Sequence, residues 1–534
     1  MILSESKVDE IVEVFGASQD GTDHLKSLIF NLATAGKLVP QIPDEKHALE
    51  VMELVKGGEV LHETIPGWLN LKLSLCAEIY NGNSTNAAEK ALMEKNQSGL
   101  EYIATKDVGY GFQSIEYDTG LRIGTEKNSF KIAPAHSILI CLEGGSAGKK
   151  MGLLFKEVAF GNKLFAVVCK DWILPRFLLM YFLSSKFQND FRQKMTGIIG
   201  GISKSNFINI QIPIPPLAEQ NRIVRETERF IAICDALEKA RIDQHLLSEL
   251  FRNSSIDAIS TAQSPEELQI AWERIQHNWE VIVGSPEAID LLKTLILDLA
   301  VRGDLISISH SRAAEVIKWT SSELKLDESK LWSLPTLHEQ KRAGWNRIPL
   351  AKLGSWGSGG TPTSSRKDYY QNGTIPWAVI GDMNNDIMTS TEARITEKAL
   401  LESSSKLVPV GAVLIAMYGA SIGKTAITGI ECCTNQAIAH CIIDTNIVSK
   451  EYFFIVAKSL KRHLIQEGKG AAQPNISQSV LKHLVIDLPS LDEQKKIVER
   501  VEALMQMCDH LKHSLRNSED LAEKFSRSVV SASA

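Results

Sequence analysis

Ile212-Pro213-Ile214-Pro215-Pro216-Leu217-Ala218-Glu219-Gln220, running on into Arg222-Ile223-Val224 and Cys234-Asp235-Ala236-Leu237, decides the fold because it occurs twice. The second copy is Leu488-Pro489-Ser490-Leu491-Asp492-Glu493-Gln494, then Lys496-Ile497-Val498 and Cys508-Asp509-His510-Leu511, 274 residues further on. Upstream, Gly201-Ile202-Ser203 matches Asn475-Ile476-Ser477 at the same offset. Gly145-Ser146-Ala147-Gly148-Lys149 matches Ala420-Ser421-Ile422-Gly423-Lys424, and Gly161-Asn162-Lys163 matches Thr434-Asn435-Gln436, at nearly that offset. Several separate matches at almost one spacing mean a duplication, and missing a repeat misassigns a whole fold.

A third pair of matches has a different offset. His24-Leu25-Lys26-Ser27-Leu28-Ile29, ending Ala35-Gly36-Lys37-Leu38-Val39, resembles Leu291-Leu292-Lys293-Thr294-Leu295-Ile296, ending Arg302-Gly303-Asp304-Leu305-Ile306. One copy follows the first junction, whereas the other stands at the N-terminus. The repeat is therefore circular: one unit runs from about 65 to 344, and the other is 345–534 completed by 1–64. That organisation predicts a pseudo-two-fold molecule whose N-terminal helices pack beside its C-terminal helix.

Downstream of each junction the pattern is helical. Ile497, Val501, Leu504, Cys508, Leu511, Leu515, Ser518, Ala522, Phe525 and Val529 alternate spacings of four and three, which is a coiled-coil seam. Ser490 and Glu493 have capping-box spacing at its start. About 40 residues at 1.5 Å each make a rod of about 60 Å. The first copy, Leu217 to about Ala262, runs through Ile223, Thr227, Phe230, Cys234 and Leu237, then changes phase toward Leu247 and Phe251. Before each junction, 65–215 and 345–488 read as compact α+β domains. Ser137–Cys141, Phe165–Val168, Ala412–Ala416 and Ile438–Ile443 are strand-like runs between Gly-rich turns, and one helix follows in each, around Phe177–Lys194 and Tyr452–Glu467. Between 306 and 344 lies a polar connection with a short helical stretch.

The chain has 534 residues, 44% hydrophobic and 23% charged, enough for several cores. No apolar run is long enough to span a membrane, and no secretory signal is evident at the N-terminus. Eight cysteines without a CxxC pair suit neither a zinc site nor a disulfide framework, so reduced thiols in a cytoplasm are expected. The net charge of −6 is unevenly spread. Ten Lys/Arg face three Asp/Glu between Lys149 and Lys204, while eight face fifteen between Glu219 and Asp298. A basic segment suits phosphates, and an acidic one repels them and is free to face protein.

Motifs for catalysis do not emerge. Gly419-Ala420-Ser421-Ile422-Gly423-Lys424-Thr425 approaches a phosphate-binding loop, but position 418 is Tyr where that loop needs Gly. Ser421/Lys424 and Ser146/Lys149 fit SxxK without its companion SDN and KTG signatures. Pro43-Asp44-Glu45-Lys46 packs nuclease-like letters too tightly for such a site and reads as a solvated loop. The thirteen histidines form no ligand cluster. A Gly/Ser/Lys loop in both copies fits either a purely structural turn or one that meets DNA phosphate.

The paired junctions, with Tyr369-Tyr370, Gly373-Thr374-Ile375-Pro376-Trp377 and Asp382 after Gly359-Gly360-Thr361-Pro362, resemble the specificity subunits of Type I restriction-modification enzymes. Ala35-Gly36-Lys37-Leu38-Val39-Pro40-Gln41 is similar to a family element beyond the coiled coil. The resemblance spans nearly the whole chain; the second junction lacks the double proline, and the first domain has a weak opening motif.

The resemblance implies an α+β fold in which two similar target recognition domains are separated by long antiparallel coiled-coil helices. The expected segments are 1–64, an N-terminal helical segment packing with the C-terminal helix; 65–215, the first recognition domain; 216–305, the central conserved coiled-coil region; 306–344, the connection; 345–488, the second recognition domain; and 489–534, the C-terminal helix. Each recognition domain would read one half of a bipartite, asymmetric DNA target. Two methyltransferase subunits would dock on the helices and restriction/translocase subunits would join them, ATP, Mg²⁺ and S-adenosylmethionine belonging to those partners. The chain itself would carry no active site and no cofactor. Candidate DNA contacts are Ser146, Lys149, Lys150, Lys163, Lys204, Ser421, Lys424, Asn435 and Gln436, lysines for phosphate and amides for adenine edges. Two rival readings are the recognition part of a fused methyltransferase-nuclease and a coiled-coil scaffold that does not bind DNA.

Overall fold

In the computed structural model the duplicated junction folds the same way twice. The structure describes residues 15, 20–43, 45–47, 51, 53, 65–96, 98–110, 115–124, 130–195, 200–262, 264–306, 316–333, 344–467 and 475–533. Gln220, one residue into the second turn of its helix, is fully buried. Its carbonyl accepts from the Leu174 amide at 2.8 Å, and its amide donates to Trp172 O at 3.1 Å and Pro215 O at 3.0 Å. Gln494 repeats the set with Ser449 N at 2.8 Å, Ile447 O at 3.1 Å and Pro489 O at 3.0 Å. A buried carboxamide can use donors and acceptor at once, so one side chain ties the start of a long helix to the strand before it and to the loop ahead of the domain's own helix. The same Gln makes the same three bonds in both copies of the junction.

The first α+β domain, within 65–215, holds two four-stranded sheets. Strands β2 (Ala77–Asn81), β6 (Ile138–Cys141), β7 (Met151–Leu153) and β9 (Leu164–Cys169) lie in the order β2-β9-β6-β7. Strands β3 (Leu100–Ile103), β4 (Arg122–Ile123), β5 (Ile132–Ala133) and β8 (Val158–Phe160) lie in the order β4-β3-β8-β5. β1 (Leu69–Lys72) pairs antiparallel with β10 (Gln211–Ile214), closing the domain where the chain enters and leaves.

The second domain repeats this plan. β13 (Gly354–Ser358), β21 (Ile438–Ile443), β18 (Val413–Ala416), β19 (Thr425–Thr428) and β15 (Ile387–Met388) form one sheet in that order. β16 (Ala393–Ile395), β14 (Ile375–Ala378), β20 (Cys432–Thr434) and β17 (Leu407–Val408) form the other, and β12 (Asn346–Pro349) pairs with β22 (Leu484–Leu488) as β1 does with β10. The strands expected at 137–141, 165–168, 412–416 and 438–443 are present. The single helix expected in each domain is two: Pro175–Leu183 and Ser185–Gln193, then Lys450–Ser459 and Lys461–Glu467. Extended backbone at Ser184, whose side chain caps the next helix, makes the break in the first domain.

The long helices span Leu217–Thr261 and Leu491–Ser533, 45 and 43 residues. The chain divides into Met1–Gln244 with Asn517–Ala534, and His245–Arg516, so each unit takes part of both helices. Within the first unit the N-terminal helix, Gly21–Thr34, runs antiparallel to the start of the first long helix, with Thr22 Oγ1 donating to Glu238 at 2.8 Å and Lys26 paired with Asp235 at 2.6 Å. Buried Asn31 donates to Ser185 at 3.0 Å and to Ser533 at 2.9 Å, and accepts from the Ser185 amide at 2.8 Å. The N-terminal helix thus meets the first α+β domain through Ser185 and the end of the C-terminal helix through Ser533 and Glu523.

In the second unit the counterpart helix, Pro286–Arg302, pairs Lys293 with Asp509 and Asp290 with Lys512. Lys26–Asp235 and Lys293–Asp509 are the same pair in two copies.

The expected seam holds only over the first turns of each helix. Ile223, Thr227 and Cys234 are buried, as are Ile497, Val501 and Cys508. Leu247, expected in the seam, is 66% exposed, and Phe525 is half exposed while its neighbour Ser526 is fully buried. Past mid-length the buried face shifts to Arg252, Ser255, Ile256 and Ile259 in the first helix. A seam read from one end cannot anticipate the change, because the far end of the first helix joins a different core, with Ile256 and Ile259 among Ile275, Leu292 and Leu295.

One further expectation is corrected. Glu45, read as part of a solvated loop, forms an ion pair with Arg222 of the first long helix, with Glu45 Oε2 to Nη2 at 2.9 Å; Asp44 lies outside the described residues. The connection contributes β11 (Trp332–Ser333), parallel to β22, and Trp332 Nε1 donates to Val480 O at 2.9 Å, so its described part belongs to the second domain's structure.

Candidate nucleic-acid interface

The Gly/Ser/Lys turns close the β6–β7 and β18–β19 hairpins. Gly148 N donates to Cys141 O and Gly423 N to Ala416 O, while Lys149 N bonds Ser146 O and Lys424 N bonds Ser421 O. The next bond places Cys141 N on Lys150 O but Ala416 N on Lys424 O, so the first turn carries one extra residue. Lys150 therefore stands where Lys424 stands. Lys150 Nζ donates to Thr105 O at 3.0 Å and Lys106 O at 3.4 Å and lies 5.1 Å from the Tyr110 ring centroid, and Lys424 Nζ donates to Ile380 O at 3.2 Å. Each ammonium braces its hairpin turn against the short 3-10 turn of the other sheet, Thr105–Asp107 or Ile380–Asp382.

Glycine is required in these turns. Gly148 has φ +69°, and a Cβ there would lie 2.7 Å from the Phe191 ring; Gly423 has φ +77°, and a Cβ would lie 2.6 Å from Lys461 Cα. The turns press on the second helix of each domain with no room for a side chain. Most of their amides are spent within the turn, which leaves no cradle of the phosphate-loop kind.

The β8–β9 and β20–β21 turns sit at the same edge of their domains. Leu142 N donates to Lys163 O at 3.2 Å, and Met417 N to Ala437 O at 2.8 Å. Gly161 N bonds Ile103 O, and Asn435 N bonds Ala378 O. These bonds set the correspondence at an offset of 274: Gly161 with Asn435, Asn162 with Gln436, Lys163 with Ala437. The earlier alignment of Gly161 with Thr434 is one residue out. Asn435 Oδ1 accepts from Ala437 N at 3.2 Å, so its side chain shapes the turn.

In the first domain the structure brings Ser146, Lys149, Lys150 and Lys163 to one edge, and the Gly201 segment reaches it through Gly144 N to Gly200 O at 3.0 Å and Ile202 N to Leu142 O at 3.0 Å. Lys149, Lys163 and Lys204 are exposed, Ser146 and Lys150 half-buried. Lys204 opens a short helix capped by Ser203. In the second domain Ser421, Lys424 and Asn435 are half-buried and Gln436 is exposed. A cleft of about 420 Å³ adjoins the first domain's turn and is lined by Lys90, Lys106, Asn162, Lys163, Thr85 and Glu94 among others. Sequence reasoning missed Lys90, Lys106, Thr85 and Asn162; only the offset of 274 would have drawn attention to Asn162.

An edge of lysines, hydroxyls and amides over a rigid hairpin base suits contact with phosphates and base edges. Among the described residues no group of three His, Cys, Asp or Glu is placed to hold a metal ion, and no helix is long and apolar enough to cross a membrane. Burial pushes the Cys169 and Cys441 thiols up to about 12 and Cys234 to about 11.

The chain is similar to known proteins. The chain is 25% identical over 549 residues to the Escherichia coli Type I restriction enzyme EcoAI specificity subunit, covering 93% of this chain and 91% of that one. It is 24% identical to the E. coli Type I restriction enzyme EcoEI specificity subunit over the same shares. The crystal structure of the HsdS subunit from Thermoanaerobacter tengcongensis superposes with a TM-score of 0.42 at 16% identity, covering 88% of this chain and 97% of that one. The family model for the Type I restriction modification DNA specificity domain matches twice, at residues 67–246 and 343–518, each spanning one α+β domain and the start of its long helix. The chain belongs to the Type I restriction-modification DNA specificity family.

Proposed function

We propose that this chain reads a bipartite, asymmetric DNA target in the cytoplasm, one half with residues 65–215 and the other with 345–488, and performs no chemistry itself. Two modification subunits dock on its helical regions, 216–305 and 489–534 with 1–64, and restriction/translocase subunits join them. The observation that carries this reading is the double match of the specificity family on two domains of one topology with the same braced turn edge. Ser146, Lys149, Lys163 and Lys204 hold phosphates in the first domain, and Ser421, Lys424 and Gln436 contact DNA in the second. Lys150 and Lys424 each retain a donor after bracing their turns, and Asn435 holds the turn from which Gln436 projects. The acidic helical segment meets protein subunits, which keeps phosphate contact on the recognition domains.

Exchanging residues 65–215 for the matching segment of the EcoAI relative tests this, with the modification subunit co-expressed. One half of the methylated target changes and the other half stays. Two changed halves, or none, would overturn the assignment of one half to each domain.

A further inference from the structure

The corrected register puts two carboxamides in one place. Asn162 and Gln436 each occupy the second position of a four-residue turn, closed by Leu164 N to Gly161 O at 3.0 Å and by Ile438 N to Asn435 O at 3.2 Å. Both turns are anchored twice more, by the bonds from Leu142 and Met417 and by those to Ile103 and Ala378. The backbone beneath each side chain is therefore fixed. Both side chains are exposed, and among the described residues neither has a hydrogen-bond partner.

Turn chemistry does not account for the pair. Asn162 is not among the residues with positive φ, so no left-handed backbone calls for it. Gln is not a turn-favoured residue at all. What positions 162 and 436 share is a carboxamide, the side chain that bonds adenine N6 and N7 together. The surroundings differ as a reader's should: Asn162 stands beside Lys163 in the cleft with Lys90 and Lys106, whereas the counterpart of Lys163 is Ala437.

We propose that Asn162 and Gln436 are the equivalent base-reading residues of the two recognition domains, each specifying one adenine in its half of the target. The proposal rests on the reading of this chain as a DNA specificity subunit. A turn with a rigid base presents a short side chain reproducibly, and discrimination follows because a wrong base leaves the carboxamide's donor and acceptor unpaired.

The test is single-base methylation mapping of the chain co-expressed with its modification subunit, as wild type and as Asn162→Ala, Asn162→Asp and Gln436→Ala. Asn162→Ala is expected to relax one adenine position in one half by about five-fold to a hundred-fold, with the other half intact. Gln436→Ala relaxes one position in the opposite half. Asn162→Asp, which only accepts, moves preference at the same position toward cytosine. A wild-type motif left unchanged in both Ala variants overturns the proposal and leaves the subunit's function standing. Uniform loss of methylation at all sites, with thermal unfolding unaltered, also overturns it, since it marks a phosphate contact. Absence of any wild-type motif strikes instead at the functional reading.

Discussion

Replacing Gln220 by Met keeps the volume of the side chain and removes its three hydrogen bonds. The Leu174 amide and the Trp172 and Pro215 carbonyls lose their partner at a site where Gln220 itself is fully buried. A net hydrogen bond contributes about 0.5–1.5 kcal/mol, and a buried group left without a partner costs about 1–3 kcal/mol. Partial relaxation reduces the sum, and the expected cost is about 3 kcal/mol. Gln494→Met breaks the same three bonds in the other copy and should cost the same to within about 0.5 kcal/mol. Denaturant titration reads the cost as a midpoint shift at unchanged slope. Native-state hydrogen exchange locates it: the Leu174 amide loses protection in one variant and Ser449 in the other. A cost below about 0.5 kcal/mol in either copy, or unaltered protection at both amides, would refute the claim that this side chain ties helix to domain.

Three further outcomes follow from the same geometry. Burial raises the Asp298 carboxyl to about 6, against the partial relief of Arg462 and Arg302. Because the folded value lies above the unfolded one, stability falls as pH rises from about 4 to about 6, and Asp298→Asn, copying its counterpart Asn31, stabilises the second unit by about 1–3 kcal/mol at pH 8 with little effect at pH 3; equal gain at both pH values would contradict this. Lys106→Ala and Lys163→Ala weaken DNA binding by the assembled enzyme about equally on all sequences, each lowering the log–log salt slope by about one, and an unchanged slope would remove that lysine from the phosphate contacts. Gly423→Ala, facing both a positive φ and the Lys461 backbone, costs at least about 1 kcal/mol in thermal unfolding, and a neutral result would contradict the close packing of turn on helix.

The repeat, the long helices and most central strands were legible because each rests on local pattern: an offset, a heptad, a short apolar run between glycines. The parts that were not legible depend on what lies across the fold. The far halves of the helices bury Ser526 and Arg252 rather than the apolar Phe525 and Leu247, because each half packs against elements that the heptad pattern does not name. Glu45 reads as a loop charge until Arg222 is placed against it. At the candidate interface the turn glycines and lysines were visible, but a single inserted residue in the first turn hid the equivalence of Lys150 with Lys424. The same blindness to register paired Lys163 with Gln436, and only the bond from Leu142 to Lys163 and its copy from Met417 to Ala437 set it right. The lysines that line the cleft come from segments with no shared motif, Lys90 from a short helix and Lys106 from a 3-10 turn.

The most direct measurement is a genome-wide map of methylation, at single-base resolution, in a host expressing this chain with its modification subunit and in one expressing that subunit alone. The account predicts a new motif of two defined halves around an unspecified gap, present only when this chain is present. A modification subunit that is soluble and associated with this chain yet methylates no such motif, or the same motif without it, would contradict the claim that this chain supplies the specificity.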